Sequence, residues 1–261
     1  MPINATTLKH IQQCYSAVGK PLDGLPNGFS SYDFETWRHP IMTPIFYSKY
    51  RFNLKDFDRL QRYFQEYGPR SNVETTQAFV SVFASSERNI PAPIKELKKY
   101  GWKPEVINYI NYFDQTLPYT ILNGYRTIIG NYFDPKILKK FRSLSGLSFD
   151  SPKKRLDHID IGSRSARSPM TVLIETLEGK IVAAGAVFTN KPYAYLFSGS
   201  IHPEYRNQGL WKALVGLRQS LSYALGARHW VYSTSNSYIL IPGPCNWTMI
   251  LCVTLLKSTA L

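Results

Sequence analysis

The spacing of apolar residues differs between two parts of the chain that meet near residue 118. In the first part it is mostly helical, in short segments broken by Pro and Gly. The clearest helix is NLKDFDRLQRYFQEYG, where Asn53 is suited to cap the start and Gly68 to end it. IPAPIKELKKYGW and KPEVINYINYFDQ predict two more helices, and IMTPIFYSKYRF is compatible with a strand. We expect residues 1–118 to form a largely helical or mixed accessory domain.

The second part, residues 119–261, mixes strand and helix signals. DPKILKKFRSLSGLS predicts a helix that Asp134 caps, with Pro135 at its first position. MTVLIETL, IVAAGAVF and YAYLFSGSI are β-prone and joined by very short turns, which predicts an antiparallel meander. LWKALVGLRQSLSYALGA then predicts a helix, and HWVYSTS a fourth strand. The fold class is therefore α/β (α+β), with a mixed, mostly antiparallel central sheet flanked by helices.

The C-terminal end fits this pattern less well. Pro242 and Pro244 flank Gly243, which excludes a regular helix there. WTMILCVTLL is compatible with one closing strand or with a short helix. No internal repeat is obvious, and a degenerate copy in the first half is left open.

Composition and charge narrow the class of protein. Hydrophobic residues make up 44% and aromatic residues 14% of the chain, which is typical of a globular protein. The 31 Lys and Arg against 18 Asp and Glu give a net charge of +13, which favours a phosphate-bearing ligand, nucleic acid or an acidic surface, or only a basic soluble surface. Nucleic acid is the weaker candidate because no recognition helix, zinc finger or RNA-binding aromatic signature is present.

Cysteine usage and the terminal segments predict a compartment. Cys14, Cys245 and Cys252 form no CxxC pair, so we expect reduced structural thiols and no metal ion. The start, MPINATTLKHIQQ, has no basic segment followed by an apolar one, as a signal peptide would. The late apolar run 247–256 is too short to span a bilayer. A cytoplasmic protein with no membrane contact is expected.

The stretch HPEYRNQGLWKAL places polar residues and a glycine where a predicted strand turns into a predicted helix. A helix start exposes unpaired N–H groups and the positive end of its dipole, so it can bind phosphate. Gly209 permits close approach of a ligand to the backbone, and Arg206 adds charge. Neither GxGxxG nor GxxxxGK[ST] is present. A plain strand-to-helix turn is the alternative interpretation.

This junction resembles motif A of the GNAT-type N-acetyltransferase superfamily, which is Arg/Gln-x-x-Gly-x-Gly/Ala after the fourth strand of that fold. The matching residues here are Arg206, Asn207, Gln208, Gly209, Leu210 and Trp211. The resemblance covers about residues 119–240 and includes the order of strands and helix. It implies a GNAT-like domain that binds acetyl-CoA, or another acyl-CoA, and passes the acetyl group to a primary amine of a small molecule or a protein.

The resemblance also implies a set of cofactor-binding residues. Amides of residues 206–211 would hold the pyrophosphate, and the pantetheine would lie where the strand ending at Ile201 and the strand 229–235 splay apart. Besides the motif, the implied set contains Ser200, Ile201, His202 and Asn236. A backbone N–H near the end of the fourth strand would stabilise the oxyanion.

Catalytic side chains are harder to assign. Family members often use a carboxylate on a central strand as base and a tyrosine after the fifth strand as acid, but the fourth strand here offers only Tyr195, Ser198 and Ser200. The candidates are Glu175 as base, His202 as proton acceptor, and Tyr238, or else Tyr232, as acid. Each also has an ordinary structural interpretation, as a solvent-facing strand residue, a strand-end histidine or a packed tyrosine.

Two departures from the family pattern leave alternatives open. Trp211 stands where a small residue is usual, so its indole must point away from the cofactor. After Asn236 the expected helix and two strands are not evident, so the acceptor side is either incomplete or built by residues 1–118. A non-catalytic acyl-CoA-binding module and a basic nucleic-acid-associated protein are the rival functions, and an oligomer is possible.

Overall fold

The computed structural model describes residues 5–18, 20–21, 24–33, 45–47, 53–67, 77–84, 102–119, 122–148, 169–234 and 246–256. The helices are α1 (Ala5–Tyr15), α2 (Leu54–Tyr67), α3 (Pro135–Ser148) and α4 (Leu210–Ala224). The strands of the first part are β1 (Lys20–Pro21), β2 (Phe29–Asp33), β3 (Ile45–Tyr47), β4 (Gln77–Ala84) and β5 (Trp102–Phe113). Those of the second part are β6 (Tyr125–Asn131), β7 (Met170–Thr176), β8 (Ile181–Asn190), β9 (Tyr193–Ile201), β10 (His229–Thr234) and β11 (Asn246–Leu256).

Within the described residues, the eleven strands form one sheet in the order β1-β2-β3-β4-β11-β5-β10-β9-β8-β7-β6. Only β3 with β4 and β9 with β10 run parallel, and the other neighbours are antiparallel. The mixed, mostly antiparallel sheet expected from the sequence is therefore confirmed.

The sheet contains an internal repeat. In each half, three antiparallel strands lead into a helix, and the strand after that helix pairs parallel with the third: β1-β2-β3-α2-β4 and β7-β8-β9-α4-β10. The last strand of each half crosses over, since β5 pairs with β10 and β11 pairs with β4. The degenerate first-half copy that the sequence left open is thus present in the topology.

One predicted helix is wrong. KPEVINYINYFDQ lies mostly in β5, between β10 and β11, because its β-branched and aromatic residues suit a strand paired on both sides. The first part of the chain is therefore mixed rather than largely helical. IPAPIKELKKYGW lies outside the described residues except for its tryptophan, which begins β5. The predicted domain boundary at 118 falls between β5 and β6, and both parts contribute to one sheet.

Other predicted elements are confirmed, together with their caps. The Asn53 side chain accepts the Lys55 amide at 3.1 Å before α2, and Asp134 accepts the Lys136 amide at 2.8 Å before α3. β7 to β10 occupy the four predicted strands, and the closing segment is a strand, β11. The segment forms a strand because it pairs with β5 on one side and β4 on the other, and these distant partners are not visible in its own sequence.

Helices cover both faces of the sheet in the second part. α4 packs on one face against Val172, Leu196 and Trp230, and α1 and α3 pack on the other. Cys14 of α1 is buried there, and burial raises the pKa of its thiol far above the usual range, as expected of a structural thiol. None of the described helices combines the length and apolar character that a membrane span requires.

Candidate active site

Two parallel strands, β9 and β10, part from each other beside α4. They pair only over Tyr193–Tyr195 and His229–Val231. Beyond these residues β9 continues to Ile201, whereas β10 continues to Thr234 in register with β5 alone. The wedge between the diverging strands, here called the cleft, lies where the resemblance implied that the pantetheine would bind.

The connection from β9 to α4 presents backbone donors. A short 3-10 helix, Pro203–Tyr205, leads to Asn207 and Gly209, which both have left-handed backbone angles with φ of 64° and 78°. Gly209 at the N-cap of α4 has no side chain to cap the helix, and the first backbone bond joins the Ala213 amide to the Gly209 carbonyl. The amides of residues 210–212 precede that bond, at the positive end of the helix dipole. An anion is the ligand for which this geometry is suited.

Gly209 is required for its conformation rather than for space. A Cβ at this position would meet no atom of the described residues within 4 Å, so they do not crowd it. The φ of 78°, however, is one that residues with a side chain rarely adopt. The glycine therefore fixes the direction in which α4 starts.

Contacts with neighbouring strands hold this connection in place. The Tyr125 hydroxyl at the start of β6 donates to Oε1 of Gln208 at 2.7 Å. Lys180 binds Glu204 at 2.9 Å and lies 4.9 Å above the Tyr205 ring. The bond to Glu204 raises the pKa of Lys180, and Lys180 lowers that of Glu204.

The backbone at the end of β9 faces alternately toward and away from the cleft. The His202 amide donates to the Val182 carbonyl of β8 at 2.8 Å, and Ser200 lies opposite Ala184 of the same strand. By the alternation of an antiparallel ladder, Ile201 between them turns its amide and carbonyl toward β10. Of the three implied backbone contacts, Ile201 alone is directed at the cleft.

Trp211 directs its indole toward the sheet beside the cleft, whereas the motif led us to expect an indole that points away from the cofactor. Its indole packs on β9, where a Cβ on Gly199 would lie 2.5 Å from Cζ3. It meets Tyr232 of β10 edge to face, with ring centroids 5.7 Å apart. The indole thus lines the α4 side of the cleft, and its backbone amide stays at the helix start.

His202 lies at the start of the connection, with only part of its ring exposed. Its Nδ1 accepts the Glu204 amide at 3.3 Å and lies 3.9 Å from the Glu204 carboxylate. A neutral ring held in this way carries its proton on Nε2, so it donates there rather than accepts. The predicted role as proton acceptor requires Nδ1 to release the Glu204 amide.

Glu175 is held in an ion-paired cluster away from the cleft. It is 3% exposed and binds Arg126 through one carboxylate oxygen and Lys140, at 3.4 Å, through the other. Its strand, β7, is separated from β9 by β8, and its side chain faces α3 rather than α4. This placement favours a structural role for Glu175 over the predicted role as base.

Of the two tyrosine candidates, Tyr232 lies within the described residues. Tyr232 is buried with Phe113 and Leu196 in the core beneath α4. Tyr238 and Asn236 lie outside the described residues.

The first half offers a comparison, since α2 occupies the place of α4 in the repeat. Its N-terminus is closed by the Asn53 cap and by buried Asp56 in the first turn, which accepts the Tyr47 hydroxyl at 2.9 Å. A carboxylate at a helix start occupies the electrostatic site that an anion would use. Of these two matching helices, α4 is therefore the one whose described N-terminus leaves room for an anion.

Several contacts at the candidate site were missed by sequence reasoning. Tyr125 comes from β6 and Lys180 from the turn before β8, and no local pattern connects them with the motif. Gly185 and Gly199 mark where α4 side chains approach the sheet closely, and strand glycines are a signal of such approach.

Comparison with solved structures identifies the fold. No family model and no curated protein matches the chain. A GCN5-related N-acetyltransferase from Kribbella flavida superposes with a TM-score of 0.62 at 12% identity, over 100% of this chain and 97% of that one. Another, from Sphaerobacter thermophilus, superposes with a TM-score of 0.56 at 13% identity, over 90% of this chain and 79% of that one. A tandem GNAT protein from the clavulanic acid biosynthesis pathway superposes with a TM-score of 0.54 at 14% identity, over 84% of this chain and 76% of that one. The chain therefore has the fold of the GCN5-related N-acetyltransferases.

Proposed function

We propose that this protein transfers an acetyl group from acetyl-CoA to a primary amine. The observation that carries the proposal is the uncapped start of α4 beside the parting of β9 and β10. The amides of residues 210–212 would bind the pyrophosphate, with Arg206 and Lys212 nearby as exposed cations. The Ile201 backbone would bind the pantetheine in the cleft.

The reaction places little demand on side chains. The amine nitrogen forms a bond to the thioester carbon while the carbonyl electron pair moves onto oxygen. Return of that pair breaks the C–S bond and releases the CoA thiolate, and the proton of the amine passes through solvent to the thiolate. Positioning in the cleft and a backbone donor to the oxyanion supply the rate.

A non-catalytic acyl-CoA-binding module is the second candidate. The ion-paired state of Glu175 favours it, because the carboxylate considered as a base is engaged elsewhere. β5 beside β10 is compatible with an acceptor side built partly by the first half of the chain, which favours the transferase.

Calorimetric titration with acetyl-CoA and with CoA tests the proposal. Gly209→Asp should weaken binding more than about tenfold, because it strains the backbone and places a carboxylate beside the pyrophosphate. Gly24→Asp is the matched control, because Gly24 has a similar φ of 82° and lies between β1 and β2, at one edge of the sheet. Absence of binding by the folded wild type would overturn both candidates. Binding without thiol release in a screen of amines would favour the non-catalytic module.

A further inference from the structure

Arg218 of α4 is buried against β8 and β9, next to the part of β9 that has left β10. It is 1% exposed, and glycines on two neighbouring strands make room for its guanidinium. A Cβ on Gly185 of β8 would lie 2.9 Å from Cζ, and a Cβ on Gly199 of β9 would lie 3.2 Å from Nη2. The side chain therefore occupies a space that these two strands leave open.

The guanidinium binds backbone carbonyls. Nε donates to Leu214 of its own helix at 3.1 Å, and Nη1 donates to Ala186 at 3.3 Å and to Phe197 at 3.2 Å. Nη2 is buried and has no hydrogen-bond partner among the residues that the structure describes.

Arg218 carries a positive charge that no described carboxylate neutralises through an ion pair. Burial lowers its pKa to about 10, against a smaller opposite effect of Tyr232, so it stays protonated near neutral pH. A buried cation without an anion is unfavourable. Its retention beside the cleft is suited to a ligand on which negative charge develops.

β9 bulges next to this guanidinium. Ala184 lies opposite Ser200 and Ala186 opposite Phe197, so Ser198 and Gly199 together face Gly185. Ser198 has a φ of 46°, and it follows the last residues of β9 that pair with β10. Such bulges change the direction of backbone groups, often next to active sites.

The bulge directs one amide toward the cleft. Nη1 of Arg218 reaches the carbonyls of both Phe197 and its β8 partner Ala186, so the Phe197 carbonyl faces β8. In a planar trans peptide the next N–H, that of Ser198, points the opposite way, toward β10. A cation bound to the carbonyl also polarises the peptide and strengthens its N–H as a donor.

We propose that Arg218 is a positioning residue for acetyl transfer. It holds and polarises the Phe197–Ser198 peptide so that the Ser198 amide binds the thioester oxygen as negative charge develops on it. This inference rests on the proposed function, and it adds to that function a side chain which acts through the backbone.

The test is the carbonyl stretching frequency of acetyl-CoA labelled with ¹³C at its carbonyl, measured by difference infrared spectroscopy on the bound molecule. Wild-type protein should lower the frequency relative to free acetyl-CoA. Arg218→Met should lose most of that shift, while its affinity for CoA without the acetyl group changes less than about threefold, because the pyrophosphate amides are untouched. The matched control is Arg228→Met, since Arg228 is exposed just beyond α4.

Each outcome decides a different point. Wild-type protein that binds no acetyl-CoA overturns the proposed function and this inference with it. Wild-type binding with an equal shift in folded Arg218→Met overturns the role of Arg218 alone. Should Arg218→Met fail to fold, Arg218→Lys keeps the charge but not the fork of donors, and an unchanged shift there overturns the positioning role. A partial shift in that variant supports it.

Discussion

The Tyr125 hydroxyl donates a 2.7 Å hydrogen bond to Oε1 of Gln208, and so connects the start of β6 to the turn that begins α4. The two residues are 83 positions apart in sequence. Because the turn contains two residues with left-handed angles, Asn207 and Gly209, its shape depends on such external contacts.

Tyr125→Phe should weaken acetyl-CoA binding by about two- to tenfold, the range given by losing one hydrogen bond of roughly 0.5–1.5 kcal/mol. Calorimetric titration measures this effect. Tyr119→Phe is the control, since Tyr119 is exposed and no hydrogen bond of its hydroxyl is seen among the described residues. Equal affinities in the two variants would contradict a role for the contact in shaping the site.

The internal repeat predicts the binding stoichiometry. The start of α4 is open, whereas that of α2 is capped by Asn53 and occupied by Asp56. We therefore expect one acetyl-CoA per chain, and Asn53→Ala should leave the affinity unchanged while lowering stability by about 1 kcal/mol. Two bound acetyl-CoA molecules per chain, or a changed acetyl-CoA affinity in Asn53→Ala, would show that the first half also binds the cofactor.

Trp211 and Gly199 should be energetically coupled. Gly199→Ala forces the indole away from β9 and should cost about 1–3 kcal/mol of unfolding free energy. After Trp211→Leu the same change should cost less, because the two indole atoms within 2.6 Å of the new Cβ are gone and Nη2 of Arg218, at 3.2 Å, is the next nearest atom of the described residues. Urea denaturation of the wild type, both single variants and the double variant gives the coupling energy, expected to exceed about 0.5 kcal/mol. Simple additivity would mean that the indole does not pack on Gly199 in solution.

Glu175 should contribute to stability and not to chemistry. Glu175→Gln leaves Arg126 and Lys140 without their carboxylate and should lower stability by roughly 1–3 kcal/mol. Acetyl-CoA affinity should stay within about twofold, since the site lies on another strand and face. Thermal denaturation and titration provide the two measurements.

The control for Glu175 is Glu178→Gln, in the exposed turn that follows β7. It should produce no comparable loss. A Glu175→Gln protein with wild-type stability but no transferase activity would restore Glu175 as the base.

Local patterns in the sequence were sufficient for part of this structure. α2, α3, α4 and β7 to β10 were predictable because each combines one period of apolar residues with its own cap or turn. The turn at Gly209 was predictable for the same reason, as its residues are contiguous. β5 was not predictable, because its residues are compatible with a helix as well as with a strand. Pairing with the distant β10 and β11 selects the strand.

The unpredicted parts of the site share one physical cause. The position of Arg218 depends on two glycines, Gly185 and Gly199, that no local pattern connects with α4. The paired state of Glu175 depends on Arg126 of β6 and Lys140 of α3. Strand order brings these residues together, and the motif alone does not contain that order.

The last prediction concerns pH. Tyr112 of β5 places its hydroxyl 2.7 Å from Nδ1 of His229 and 3.0 Å from Nδ1 of His10, and the two imidazole rings are 4.1 Å apart. The hydroxyl carries one hydrogen, so it donates to one ring and accepts from the other when both histidines are neutral. Tyr193 also stacks on His229. Charging the His229 ring therefore disturbs the contact of α1 with the sheet.

Burial lowers the pKa of His229 from 6.5, His10 lowers it further, and Asp114 partly opposes the shift. The unfolded chain thus takes up a proton at a higher pH than the folded protein does, and stability should fall as the pH drops below about 6.5. Urea denaturation between neutral pH and about pH 5 should show this loss. His229→Gln should reduce the slope of unfolding free energy against pH, by an amount that corresponds to at most one proton taken up on unfolding. Arg228→Gln, next to it in sequence, should keep the wild-type slope. If His229→Gln also keeps it, the loss at low pH arises elsewhere.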